Sequence, residues 1–256
     1  MKIGVMNNPC ENVLNQITAI GKAGYDFVDL TIEGPKALDI DVEEIIPVLK
    51  HYSLWVVGHT DPCLPYAYPI EKIRRACLDE LERCASIFAA LGAKIMNIHP
   101  CYTRPPGMRH ALVDLNIEAL RPIVQMAGTY GLQIVFENFK KPFDSISTLG
   151  RILEEVPGLK LHLDFGHANI GRNDGKALCK RLGSHISHVH FSDNRSSDDH
   201  HMPLGVGSVD WRKAVNALKA IGYDGTITLE VFCDDSTVLY QYLEVSRRYL
   251  LDIWNA

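Results

Sequence analysis

Hydrophobic and polar residues follow two alternating patterns along this chain. Short apolar runs rich in Val, Ile and Leu are typical of strands that are buried on both faces. Longer stretches between them carry apolar residues at helical spacing, most clearly in Glu71–Leu91, Val113–Tyr130 and Trp211–Ile221. Eight runs are predicted to be strands: Lys2–Met6, Phe27–Ile32, Leu54–His59, Lys94–His99, Leu132–Glu137, Lys160–Asp164, Ile186–Phe191 and Thr226–Phe232.

Glycine marks the ends of four predicted helices in the same way. Gly24, Gly92, Gly131 and Gly222 each stand just before a predicted strand, as in the short helix-to-strand loops of parallel α/β proteins. Eight strands alternating with helices in 256 residues predict an α/β fold, a single (β/α)8 TIM barrel over residues 1–256. An open doubly wound sheet is the alternative, but no G-x-G-x-x-G or Walker loop supports it.

Composition and charge exclude several classes of function. The chain is 46% hydrophobic and 22% charged, which is typical of a globular domain. Its formal net charge is −5 and it contains no long basic run, so nucleic-acid binding is not favoured. No apolar run approaches the roughly 20 residues that span a bilayer, and Asn7-Asn8-Pro9 interrupts the first strand too soon for a signal peptide. We therefore expect no membrane partner.

The cysteines indicate a reducing compartment. Seven of them are scattered along the chain, and no two form a C-x-x-C pair. An odd number without metal-binding or disulfide spacing is typical of reduced thiols. We therefore expect a cytoplasmic protein.

Six consecutive predicted strands end in side chains that commonly bind metals. Catalytic groups of barrels lie at the carboxyl ends of the strands, so these side chains are expected to meet at one rim. A buried carboxylate there is costly unless it is paired or binds a metal. The six residues, from the third strand to the eighth, are His59, His99, Glu137, Asp164, His190 and Glu230.

Taken singly, each of these residues has a simpler explanation. A histidine at a strand end is often structural, and a carboxylate there is often a solvated loop residue. Their combined placement favours a divalent ion held by Glu137, Asp164, His190 and Glu230, and mixed His and carboxylate ligands suit Mn²⁺, Zn²⁺, Co²⁺ or Fe²⁺. His188 lies on the same strand face as His190. We expect His190 to be the ligand because it is nearer the end of the strand.

Longer motifs make the resemblance to a known family specific. They are NIHP at residues 97–100, FEN at 136–138, LDFGH at 163–167, HVHFSDN at 188–194, LGVGSVDW at 204–211 and GYDGTITLE at 222–230. The chain resembles, over essentially its full length, the xylose-isomerase-like barrel superfamily, which includes sugar epimerases, inosose-processing and hydroxypyruvate isomerases, and endonuclease IV. In the isomerase/epimerase branch the resemblance implies one divalent ion held by two Glu, one Asp and one His, here Glu137, Glu230, Asp164 and His190.

Sugar isomerisation or epimerisation suits these residues. The reaction removes a proton beside a carbonyl and returns it elsewhere through an enediolate, which a divalent ion stabilises. Glu137 and Glu230, from the fifth and eighth strands, can flank the substrate as base and acid. The substrate is expected to be a small sugar or sugar phosphate, and a homo-oligomer is left open. Candidate substrate-binding residues are His167, Arg195, His99 and Glu33, although Arg195 also fits a solvent-facing loop position.

An endonuclease IV-like apurinic/apyrimidinic endonuclease with three zinc ions is the alternative function. Besides the four ligands above, His59, His99, His167, Asp199 and His201 are candidates for additional metal ligands. Clustered metals suit phosphodiester cleavage. Three departures favour the isomerase: LDFGH at residues 163–167 replaces the nucleases' Asp-Thr-Cys-His, LGVG at 204–207 lacks their Glu, and the chain is acidic. A non-catalytic binding barrel is disfavoured by the intact Glu137/Glu230 pair.

Overall fold

Eight parallel strands form a closed ring in which every strand pairs with its neighbours in sequence. The computed structural model describes residues 1–171, 174–233 and 235–256. β1 closes the ring by pairing with β8, with Gly4 opposite Thr228. The predicted (β/α)8 TIM barrel is thus confirmed. The strands are β1 Lys2–Met6, β2 Phe27–Ile32, β3 Trp55–Thr60, β4 Ile95–Ile98, β5 Gln133–Glu137, β6 Lys160–Asp164, β7 Ile186–Phe191 and β8 Thr226–Leu229.

Helices follow the strands and cover the outside of the ring. Most of them begin at a residue whose side chain accepts a hydrogen bond from the first helical turn; Asn12, Asp41, Ser145, Asp174 and Asp210 are examples. The described helices are α1 Val13–Lys22, α2 Val42–Tyr52, α3 Glu71–Ala90, α4 Leu112–Thr129, α5 Ile146–Glu155, α6 Phe165–Ile170, α7 Gly175–Leu182, α8 Trp211–Ala220 and α9 Ser236–Asn255.

Predicted and observed bounds differ by a residue or so, except in the last strand. β8 ends at Leu229, three residues before the predicted end at Phe232. Its pairing with β1 stops at Leu229, whereas Glu230 N donates to Phe191 O at 3.1 Å and Phe232 N donates to His201 O at 3.0 Å. The chain therefore leaves β1 and joins the loop after β7, which brings Glu230 to the rim.

The four glycines predicted at helix ends adopt the left-handed conformation. Gly24, Gly92, Gly131 and Gly222 have φ angles between 70° and 84°. Such angles are costly for residues with a Cβ atom, so glycine here allows a sharp turn from helix to strand.

The inside of the ring contains a layer of polar side chains, and most of the hydrophobic core lies between the strands and the helices. Outside the ring, Phe191 packs against Trp211 with ring centroids 4.6 Å apart. Inside it, side chains of different strands hydrogen-bond to each other, and each is fully buried: Asp29, Asn97, His162, His188 and Thr228. This polar layer lies directly beneath the candidate site. Among the described residues, no helix is both long and apolar enough to cross a membrane.

Candidate functional site

The four predicted metal ligands come together at the carboxyl rim of the barrel. Glu137, Asp164 and His190 offer ligand atoms that all lie within 4.8 Å of one another. Glu230 Oε2 lies 3.1 Å from His190 Nδ1. All four side chains are buried, the most exposed being Glu230 at 8%. Three carboxylates and an imidazole in such a small buried volume form a donor set suited to a divalent cation.

Asp164 is the residue whose surroundings fit a cation most clearly. Its Oδ1 accepts a hydrogen bond from His167 N at 2.7 Å, capping α6. Its Oδ2 is buried without a hydrogen-bond partner. Burial and the negative charges of Glu230 and Glu137 outweigh His167 and raise the pKa of Asp164 to about 7. An orphan buried carboxylate oxygen facing other carboxylates fits a divalent ion.

Glu137 is surrounded by hydrogen-bond donors. Its Oε2 accepts from Asn97 Nδ2 at 2.8 Å and lies 3.1 Å from both His99 Nε2 and His162 Nδ1. Its Oε1 lies 3.1 Å from His167 Nδ1. Burial would raise the pKa of Glu137, but His162 and His99 hold it well below its usual range. Glu137 is therefore a carboxylate at neutral pH and can accept a proton.

The contacts of its two nitrogens define the orientation of the His190 ring. Nδ1 faces Glu230 Oε2 at 3.1 Å and Asp164 Oδ2 at 3.9 Å. Nε2 faces the buried Asp29 Oδ2 at 2.7 Å. Burial would lower the pKa of His190, but Glu230 and Asp29 raise it well above its usual value. Because Nε2 faces Asp29, Nδ1 is the nitrogen that could bind an ion at this rim, in place of the proton that the raised pKa keeps there.

His188 lies one layer deeper than His190. It is fully buried, and its nitrogens contact Thr226 Oγ1 at 2.7 Å and Asp29 Oδ2 at 3.1 Å. Its donor atoms join those of His162 and His190 in a second compact group. His188 therefore belongs to the polar layer below the rim.

Asp199 joins two of the predicted additional ligands. Its Oδ2 lies 2.9 Å from His167 Nε2 and 3.2 Å from His201 Nε2. His201 Nδ1 in turn lies 3.5 Å from Glu230 Oε2. Burial would lower the pKa of His201, but Glu230 and Asp199 raise it to about 9. Each candidate catalytic carboxylate thus has a histidine partner, His167 beside Glu137 and His201 beside Glu230.

The motif LGVGSVDW at residues 204–211 shapes the loop that carries Asp199 and His201. The buried carboxylate of Asp193 accepts hydrogen bonds from Gly205 N, Val209 N and Trp211 Nε1 at 2.8, 3.1 and 2.9 Å. A Cβ atom at Gly207 would stand 2.3 Å from Asp193 Oδ1 and from Asn194 O. This motif therefore has a structural role.

The rim opens into a cavity of 970 Å³. Glu33 lines it, half-buried, and burial together with the charge of Asp61 raises the pKa of Glu33. Arg195 is exposed and is absent from the lining. The predicted residues that line the cavity are Glu33, His59, His99, His167, Asp199, His201 and Glu230, whereas Glu137, Asp164 and His190 lie beneath it.

His59 and His99 form part of a further group beside the four ligands. Their nitrogens and a carboxylate oxygen of Glu137 all lie within 4.8 Å of one another. His59 Nδ1 also lies 3.6 Å from Asp29 Oδ1. The site thus contains donors for more than one ion.

The sequence reasoning missed Asp29 and His162. Both lie inside strands rather than at strand ends, and both are fully buried. The sequence feature that could have identified both residues is a charged or polar side chain inside an otherwise apolar run that is predicted to be buried on both faces. Burial holds the pKa of His162 well below its usual value despite Glu137, whereas His188 and His190 hold that of Asp29 low despite burial.

Comparison with known proteins identifies the family of this chain. Residues 17–249 match the xylose isomerase-like TIM barrel family. The chain belongs to that family. Its members thus share this barrel architecture, and the predicted resemblance is confirmed.

Relatives within the xylose isomerase-like family are sugar epimerases and isomerases. L-ribulose 3-epimerase of Methylomonas sp. (strain DH-1) is 28% identical over 239 residues, covering 86% of this chain and 78% of that protein. A D-tagatose 3-epimerase-like protein has a solved structure with a TM-score of 0.88 and 26% identity, covering 100% of this chain and 98% of that one. These relatives support a sugar epimerase or isomerase.

A third similarity concerns the metal. The solved structure of an IOLI protein with a bound zinc atom has a TM-score of 0.81 and covers 100% of this chain and 98% of that one. At 16% sequence identity, this similarity is one of fold alone. That barrel therefore binds a metal ion.

Proposed function

We propose that the chain is a divalent-metal-dependent epimerase or isomerase of unphosphorylated sugars. The observation that carries this proposal is Asp164 Oδ2, a buried carboxylate oxygen without a hydrogen-bond partner, facing Glu137, His190 and Glu230. Those four residues would hold the ion. When bound, a divalent ion polarises the substrate carbonyl and stabilises negative charge on the neighbouring oxygens.

Glu137 and Glu230 would move the protons. Burial would raise the pKa of Glu230, but His201 and His190 lower it, so both glutamates are carboxylates at neutral pH. One removes the proton from the carbon beside the carbonyl. The other, after protonation, returns a proton to the enediolate, either on the opposite face of the same carbon or on its neighbour.

Two histidines would supply protons to these carboxylates. His167 Nδ1 lies 2.9 Å from Asn138 O, and Nε2 lies 2.9 Å from Asp199 Oδ2. Because a carbonyl and a carboxylate only accept hydrogen bonds, both nitrogens carry protons. His167 is thus an imidazolium 3.1 Å from Glu137, and His201 has the same kind of partners beside Glu230.

The charge of the cavity favours a neutral sugar over a sugar phosphate. Among the described residues that line it there is no lysine or arginine, and Glu11, Glu33, Asp199 and Glu230 contribute carboxylates. Phosphate groups are normally bound by Arg, Lys or clustered backbone N–H groups. A phosphorylated substrate would therefore lack the Arg or Lys partners that normally bind its phosphate.

Phosphodiester cleavage is a second candidate, favoured by one observation. The group of His59, His99 and Glu137 stands beside the group of Glu137, Asp164 and His190, which suits a metal cluster. The negative net charge opposes DNA binding. The sugar reaction remains the proposal that agrees with the relatives.

A substrate panel tests the proposal. Protein reconstituted with Mn²⁺, Zn²⁺ or Co²⁺ is incubated with pairs of free ketoses and their phosphates, and with duplex DNA containing an abasic site. We expect conversion of at least one free ketose, with its phosphate a poorer substrate by kcat/KM. Cleavage of the abasic DNA without any sugar conversion would assign the second function.

A further inference from the structure

We propose that Asp29 is a positioning residue that keeps the proton of His190 on Nε2 and so leaves Nδ1 free to bind the ion. This inference rests on the proposed function in one respect, that a divalent ion binds at the rim. Asp29 lies in β2, across the ring from His190 in β7, and it is fully buried.

The geometry makes this contact specific. Asp29 Oδ2 lies 2.7 Å from His190 Nε2, closer than it lies to His188 Nε2 at 3.1 Å. The other His190 nitrogen faces Glu230 Oε2 at 3.1 Å and Asp164 Oδ2 at 3.9 Å. The imidazole therefore bridges the buried layer and the rim.

A carboxylate is the group that this position requires. A neutral imidazole has one proton, and a metal binds only the nitrogen that lacks it. A carboxylate accepts hydrogen bonds and donates none, so at 2.7 Å it stabilises the tautomer with the proton on Nε2. Its negative charge also makes Nδ1 a stronger donor to a metal. An amide could turn its NH₂ towards Nε2 and favour the opposite tautomer.

The surroundings hold Asp29 in the required orientation. Thr228 Oγ1 donates to Asp29 Oδ2 at 2.7 Å. His188 approaches the same oxygen and is itself held by Thr226 Oγ1 at 2.7 Å. These contacts come from β7 and β8, so the carboxylate is fixed against the strand that carries His190.

Metal titration of matched variants tests the inference. Zn²⁺ binding to the metal-stripped full-length chain is measured by calorimetry for wild type, Asp29→Asn and Asp41→Asn, with circular dichroism to verify folding. We expect Asp29→Asn to weaken Zn²⁺ binding by about 10- to 100-fold, the usual loss when a partner of a metal-binding histidine is removed. Asp41→Asn makes the same chemical change at the exposed start of α2, outside the ring, so its affinity should stay within about threefold of wild type.

A second measurement does not depend on the variants. In zinc-loaded wild type labelled with ¹⁵N-histidine, Nδ1 of His190 should show the chemical shift of a metal-bound nitrogen. Nε2 should carry a slowly exchanging proton. Zinc on Nε2, or unchanged zinc affinity in folded Asp29→Asn, would overturn the inference. Absence of divalent-ion binding by wild type would instead contradict the proposed function itself.

Discussion

The side chain of Asn138 holds the backbone of Asp164 on both sides. Asn138 Oδ1 accepts from Asp164 N at 2.8 Å, and Asn138 Nδ2 donates to Asp164 O at 2.9 Å. Both residues are buried. This clamp fixes the backbone from which the Asp164 carboxylate reaches the rim. The backbone that carries this carboxylate is therefore held by protein contacts alone.

Because of this clamp, Asp164→Asn should change metal binding without unfolding the barrel. Because asparagine caps a helix about as well as aspartate, α6 and the barrel should stay folded. Removing one negative ligand should lower metal content per chain and abolish turnover, and Glu230→Gln should do the same. Asp41→Asn makes the same change at an exposed helix cap and should alter neither property. Metal content at the wild-type level in Asp164→Asn and Glu230→Gln would remove both residues from the set of ligands.

Metal affinity should depend on pH through Asp164. Burial and neighbouring carboxylates raise the pKa of Asp164 to about 7, so a proton occupies this ligand at lower pH and must leave when the ion binds. Below pH 7 protonation of Asp164 should lower affinity by about a further tenfold per pH unit, and above pH 7 this contribution should disappear. Metal titrations between pH 5.5 and 8.5, a range that extends about 1.5 units to either side of the pKa of Asp164, measure the effect. The Asp164→Asn variant should lose this part of the dependence.

The sequence was sufficient for the fold because the strands carry a strong signal. Mainly apolar runs ending in charged residues, such as Ile134–Glu137 and Leu161–Asp164, are typical of buried strands that reach a polar rim. The left-handed glycines confirmed where helices end. The predicted end of β8 was wrong because the true end depends on hydrogen bonds from Glu230 to the last residue of β7 and from Phe232 to the loop after it, which no local pattern reveals.

The site could be predicted only in part. Strand ends pointed to the rim residues, but Asp29 lies in the middle of a strand and contacts His190 across the ring. Which nitrogen of His190 faces Glu230 and Asp164 at the rim likewise depends on packing. The link from Asp199 to both His167 and His201 depends on the path of a loop, so the spacing of these residues could not reveal it.

The loop after β7 offers a prediction about packing. Gly207→Ala would bring a Cβ atom to 2.3 Å from Asp193 Oδ1 and the backbone oxygen of Asn194. We expect it to lower the free energy of unfolding by about 1–3 kcal/mol and to reduce turnover by displacing Asp199. Gly128→Ala is the matched control, because its Cβ meets nothing within 4 Å on an exposed part of α4. It should stabilise the protein by about 0.5–1 kcal/mol, and equal effects of the two changes would contradict this account.

All seven cysteines should be free thiols. They lie in the described part of the chain and none is paired with another. Thiol titration of the denatured, non-reduced protein should therefore find seven per chain. Two or more disulfides would contradict both the structure and the expected reducing compartment.

Glu137 and His201 should differ sharply in importance. Glu137→Gln removes a ligand and a proton carrier together, so we expect a loss of more than about a thousandfold in kcat. His201→Ala removes a partner of Glu230 and should leave measurable turnover. Rates for both variants are compared under saturating metal and ketose. If His201→Ala is as inactive as Glu137→Gln and wild type cuts abasic DNA, the second function is correct.

Solvent isotope incorporation tests the central claim most directly. Metal-reconstituted protein is incubated with a reactive free ketose in deuterated water, and the sugar is followed by proton NMR and mass spectrometry. If Glu137 and Glu230 exchange a proton with an enediolate, deuterium should appear on the carbon beside the carbonyl, even before net conversion. Glu137→Gln and metal-stripped protein should show none. Conversion of the ketose by wild type without any incorporation of solvent deuterium would contradict proton exchange with solvent through these carboxylates.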